Sequence, residues 1–112
     1  MRPEVQKLLA DMLQAADSIT QFTHGKSFAD FASDALLRSA IYYQYVVIGE
    51  ALSQLRGFDP LIADQISESP RIVGFRNQII HGYAKIDHEI TWRIVTDKLP
   101  ILRTELKALL GV

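Results

Sequence analysis

The chain has 112 residues, no cysteine, a formal net charge of −1 and a pI of about 6.3. That length suits one domain around one core, and the lack of cysteine excludes disulfides and thiolate metal centres. The near-neutral balance excludes a chain that is basic all over, so any nucleic-acid contact must come from a local patch.

The elements follow in order. Pro3 suits a first helical turn, and Val5, Leu8, Leu9, Met12, Ala15, Ala16, Ile19 and Phe22 recur at helical spacing. A helix is therefore predicted from about Pro3 to Phe22. Arg2, Glu4, Lys7 and Asp11 within it argue against a signal peptide. Thr23 to Lys26, with Gly25, reads as a turn.

A second, long helix is predicted to run from Ser27 or Asp34 to about Arg56. Ser27 with Asp30 has the form of a capping box, and a break near Ser33 is the alternative start. Its centre, Ile41 to Ile48, is apolar or aromatic on every face, which asks for cover on every face. This is the sequence argument for a homodimer, with a higher oligomer left open. The apolar run from Ala40 to Gly49 is too short to cross a bilayer and is interrupted by Gln44, so a cytoplasmic protein is expected. Gly57 is expected to end this helix.

Asp59-Pro60 starts a short helix to about Ser67. Ser69-Pro70 opens a fourth main segment, about Arg71 to His81, with Ile72, Val73, Ile79 and Ile80 as its apolar members. Asp87 caps a last helix toward Leu110, which Pro100 should kink or divide near residue 98. No stretch reads as a strand. The expected fold is all-α, an up-and-down four-helix bundle with one additional short helix, in a single domain over residues 1–112.

The chemistry is concentrated in Arg76-Asn77-Gln78-Ile79-Ile80-His81-Gly82-Tyr83. Arginine presents a planar fork of donors suited to phosphate. Histidine as a residue type exchanges protons near neutral pH. A site that holds a phosphodiester and moves protons needs both. On one regular helix Arg76 and His81 lie about 7.5 Å apart along the axis and about 140° apart around it. They do not share a face. A helix end at Gly82 in a left-handed cap, or a second copy across a two-fold axis, would bring them to one ligand.

Arg76, Asn77, His81 and Tyr83, followed by Ile86-Asp87 and an amphipathic helix, resemble the R-x-x-x-x-H-x-Y signature of HEPN-domain ribonucleases of the HepT type. Gly49-Glu50-Ala51 in the second helix matches the Gly-Glu-Ala of that family. The resemblance runs from the first helix to the last. It implies a HEPN-like homodimer acting as a metal-independent endoribonuclease toxin, with Arg76 and His81 catalytic and no cofactor. It implies a minimal nucleotidyltransferase partner as antitoxin, which would silence the toxin by AMPylation of Tyr83. The alternative is a non-catalytic helical module that binds the nucleotidyltransferase or its substrate.

Simpler roles stand beside these. Arg76 could be a surface ion-pair residue, His81 a residue favoured at a helix C-terminus, and Asn77 a surface amide rather than a phosphate or Arg76 ligand. Tyr83 could pack beside Gly82 or stack on a base. Glu50, on an otherwise apolar helix, should pair with a cation; Arg76 is the best candidate, which would make Glu50 a supporting residue. Gly49 would let two helices approach. His24 sits in a predicted turn. Asp87, His88 and Glu89 are consecutive and point in different directions, so no metal site is expected. Tyr42, Tyr43, Tyr45 and Trp92 read as core or interface aromatics.

Overall fold

The computed structural model describes residues 1–112 and is helical throughout, without strands. Helix α1 spans Pro3–Thr23, α2 Phe28–Ser33, α3 Ala35–Phe58, α4 Pro60–Ala63, α5 Ser69–His81, α6 His88–Arg93 and α7 Leu99–Leu110. Helices α1 and α3 form the central antiparallel pair, with Arg2 at the start of α1 donating to the Phe58 carbonyl at the end of α3. α5 packs on α3, and α7 packs on α1. The four main helices of the expected bundle are thus α1, α3, α5 and α7.

The predicted stripe of α1 is the inner wall: Val5, Leu9, Met12, Ala16 and Ile19 are fully buried. Phe22, expected in that stripe, stays 36% exposed. From α3 the core takes Ile41, Tyr45, Ile48, Leu52 and Leu55. From the last segment it takes Val95, Leu99, Leu102 and Leu106. Each such side chain contributes roughly 1.5–3 kcal/mol by leaving water.

Both possible starts of the long helix are used. Ser27 and Asp30 form the capping box of α2, and hydrogen bonds from Ser27 hold the Asp30 carboxyl below its ordinary value. Asp34 is extended and caps α3, accepting from the Leu37 amide at 3.1 Å. Arg38 reaches back to the carbonyls of Phe31 and Ala32 and closes the elbow.

Several boundaries differ from expectation, each for a local reason. Gly57 does not end α3, which continues to Phe58. The stop is Asp59, kept out of helical backbone by the following Pro60, and its carboxylate caps α4 through the Ile62 amide. α4 ends at Ala63 rather than Ser67, and the chain then turns so that Ile66 enters the core. Pro100 divides the last helix near residue 98, the second of the two expected outcomes: α6 ends at Arg93 and α7 begins at Leu99. Its missing N–H is absorbed by a widened turn, Ile94–Lys98, in which the Leu99 amide bonds to the Ile94 carbonyl.

The apolar centre of α3 is covered more fully within one chain than its sequence suggests. Ile41, Tyr45 and Ile48 are in the core, and Tyr42, Val46 and Val47 are half-buried. Tyr43 and Leu36 remain open. An aromatic cluster of Phe31, Tyr42, His88 and Trp92 joins α2, α3 and α6. Burial raises the Tyr42 phenol, and its hydrogen bond with Thr91 offsets part of that.

Tyr45 packs edge-on against Phe75 at 5.4 Å, yet its buried hydroxyl has no partner. Burial pushes that phenol well above its ordinary value. Tyr45→Phe should keep the ring contact and remove an unsatisfied group, raising stability by about 1 kcal/mol. A urea titration reads this as a higher midpoint; a lower one would mean that the hydroxyl has a partner in solution.

Candidate active site

The site is built on α5 where it crosses α3. The helices run antiparallel, with Arg56 bonded to Ser69 at one end and Phe75 against Tyr42 and Tyr45 further along. Along the same interface α5 approaches α3 closely at Gly49. A methyl group added there would lie 2.7 Å from Arg76 Cγ and closer still to its Cβ. The absent side chain of Gly49 is the space through which Arg76 passes.

Arg76 crosses α3 and ion-pairs with Glu50. Its Nη1 donates to the Asn77 side-chain oxygen at 2.5 Å. The Arg76 side chain is only 17% exposed, whereas that of Glu50 is 52% exposed. The carboxylate is therefore not stranded in an apolar environment, as its position on α3 suggests; the arginine is the enclosed partner. Gln54, one turn along α3, donates to the other carboxylate oxygen at 3.3 Å. Gln54 escaped the sequence reading, although its i,i+4 spacing from Glu50 was the available signal. Arg76 Nε is buried and has no hydrogen-bond partner. A guanidinium has five N–H donors, and the chain leaves this one unmet.

His81 is the last residue of α5 and is exposed. Its ring forms no hydrogen bond within the chain. Gly82 follows as the cap, but with φ −138° rather than in the left-handed conformation expected. Its amide bonds to the Gln78 carbonyl at 2.8 Å, an ordinary continuation that needs no positive φ. The helix end therefore does not redirect His81 toward Arg76. Tyr83 opens a single 3₁₀ turn, Tyr83–Lys85, and is 76% exposed.

The fold thus gathers Arg76, Asn77 and Glu50 with Gly49, and leaves His81 and Tyr83 open at the end of the helix. Asp87 acts as a helix cap, accepting from the amides of Glu89 and Ile90. His88 lies within 3.4 Å of the Tyr42 hydroxyl. No three metal-ligating side chains converge anywhere in the chain, and no helix is long and apolar enough to cross a membrane.

The relatives place this arrangement in a family. The family described as Ribonuclease HepT-like matches residues 12–109. "Putative RNase MJ0127" of Methanocaldococcus jannaschii is 31% identical over 104 residues, covering 88% of this chain and 81% of that protein. "Putative RNase MJ1380" of the same organism is 27% identical over 106 residues, covering 93% and 94%. "Probable ribonuclease HepT" of Thermococcus cleftensis is 25% identical over 109 residues, covering 97% and 98%. No solved structure matches the chain. With the family's pattern covering nearly its whole length, the chain belongs to the HepT-like ribonuclease family.

Proposed function

We propose that the chain is an endoribonuclease toxin that cuts RNA without a metal ion and works as a cytoplasmic homodimer. The observation that carries this reading is the enclosed Arg76. Glu50 and Asn77 hold its terminal nitrogens, and its Nε–H has no partner in the chain. Such a guanidinium is oriented before any ligand arrives, which is the condition for stabilising charge that develops on a phosphate.

The chemistry would run through the ribose. An imidazole takes the proton of the 2′-hydroxyl, and O2′ attacks the adjacent phosphorus. The bond from phosphorus to the 5′-oxygen breaks, and that oxygen leaves with a proton. The products are a 2′,3′-cyclic phosphate and a 5′-hydroxyl. Side chains alone supply the proton acceptor and the cation. Since Arg76 and His81 do not meet within one chain, each catalytic centre would take Arg76 from one protomer and His81 from the other.

Tyr83 would be the regulatory residue. Its exposed phenol can be reached by a minimal nucleotidyltransferase antitoxin acting as partner. An AMP group there, two residues from His81, would add bulk and negative charge beside the RNA path.

The experiment is incubation of purified protein with cellular RNA and a chelator. Cleavage leaving cyclic phosphate ends is expected from the wild type, and a loss of about 10²–10³-fold from Arg76→Ala with its fold intact. A wild type free of AMP that cuts no RNA would instead support the non-catalytic module.

A further inference from the structure

One face of α3 has no partner within the chain. Leu36, Tyr43, Val47 and Glu50 recur on it at helical spacing, within about 60° of one another around the axis. They lie on the side opposite the core residues Ile41, Tyr45, Ile48 and Leu52. Leu36 and Tyr43 are 81% and 66% exposed. From Leu36 to Gly49 the only charged residue is Arg38, which is turned back to the carbonyls of Phe31 and Ala32. Covering this face therefore strands no unpaired charge. At its far end it runs into the candidate site, where Glu50 is already paired with Arg76.

The face is complementary to itself. Two α3 helices paired antiparallel about a two-fold axis at Val46–Val47 set Tyr43 of each copy against Glu50 of the other, and the valines meet at the axis. The site calls for the same axis. Arg76 passes α3 at Gly49. His81 lies about 7.5 Å further along the antiparallel α5, on the level of about residue 44 of α3. Halfway between those two levels is again Val46–Val47. One axis thus brings Arg76 to the level of the partner's His81, and Glu50 to the partner's Tyr43.

We propose that a second copy of this chain covers the open face of α3, and that its Tyr43 is a positioning residue for the Arg76–Glu50 pair. This rests on the two-protomer reading of the site and adds a residue to it. Glu50 accepts from Arg76 on one oxygen and from Gln54 on the other. A carboxylate has room for further donors, and the hydroxyl of the partner's Tyr43 donates to it across the axis. The ring lies over the pair and keeps water from it, so the carboxylate holds the guanidinium more firmly.

The chain has no cysteine, so introduced thiols read the pairing without any need for cleavage. When Tyr43→Cys chains and Glu50→Cys chains are mixed and oxidised, a disulfide joining one of each is expected. Tyr43→Cys alone should not join to itself, since its two copies sit about 10.5 Å apart along the helices. Ser39→Cys with Gln54→Cys, equally far from the axis, gives the same reading if Glu50→Cys does not fold. The second readout is catalytic. In a dimer of one Arg76→Ala chain and one His81→Ala chain, the working arginine is on the His81→Ala chain. Tyr43→Phe carried by the Arg76→Ala chain should then lower kcat about tenfold at unchanged KM, with the amount of mixed dimer checked by native mass spectrometry. The proposal is overturned if the protein is monomeric, if Tyr43→Cys joins to itself, or if no mixed disulfide forms. It is also overturned if Tyr43→Phe leaves kcat unchanged there, or lowers it from the His81→Ala chain instead, which would put Tyr43 on the RNA beside its own Arg76. A mixed disulfide in a protein that cuts no RNA supports the contact and sinks the ribonuclease reading alone.

Discussion

Mixing Arg76→Ala protein with His81→Ala protein, each inactive alone, should restore RNA cleavage to about a quarter of the wild-type rate. The expectation comes from where the two side chains sit. Arg76 is drawn across α3 to Glu50. His81 ends the same regular helix, about 140° around its axis. A straight α5 sends the two groups to different sides, so we expect one phosphate to take them from different protomers. In a mixed dimer, one centre would combine the intact arginine of one variant with the intact histidine of the other. The second centre would lack both groups. Random exchange makes roughly half the dimers mixed, and roughly half their centres whole. The measurement is the initial rate on a fluorescent RNA after subunit exchange, with mixed dimers verified by native mass spectrometry. Mixed dimers without activity would mean that the two groups do not act across protomers.

Gly49→Ala should be the most damaging single-methyl change in the chain. Its Cβ would collide with the root of the Arg76 side chain, not with a flexible tip, so α5 must lift away from α3. Overpacking of this kind costs about 1–3 kcal/mol, or about 4–8 °C in melting temperature per kcal/mol for a domain near this size. Cleavage should fall as well, since a lifted α5 carries Arg76 away from Glu50. Gly57 provides the control within the same helix. A Cβ there meets nothing within 4 Å. Gly57→Ala should therefore gain about 0.5–1 kcal/mol from reduced backbone entropy in the unfolded chain. Thermal melting of the two variants should give shifts of opposite sign. Equal shifts would show that the close approach at Gly49 does not govern how α5 packs.

The helices were legible where a repeating apolar stripe met a local cap. The stripe of α1 needs only the spacing of Val5, Leu9, Met12 and Ile19, and the caps at Ser27, Asp34 and Asp87 need only their own next turns. The division near residue 98 was legible from Pro100, but the form it takes was not, and the end of α3 near Gly57 was less legible because it depends on a neighbour. Pro60 stops α3 by acting on Asp59, and a widened turn accommodates Pro100. The pairing of Glu50 with Arg76 could be anticipated from a carboxylate on a greasy helix, but not which partner would be enclosed. That depends on how deeply α5 settles over Gly49.

By itself the sequence determined an all-helical chain and the concentration of chemistry in the run from Arg76 to Tyr83. Both are written in short-range spacing, which the helical repeat converts directly into faces and ends. Only the tertiary structure decided that Arg76 lies sheltered against α3 while His81 stands open. Those outcomes depend on the depth and angle at which helices distant in sequence pack, and a one-chain periodicity does not contain that information.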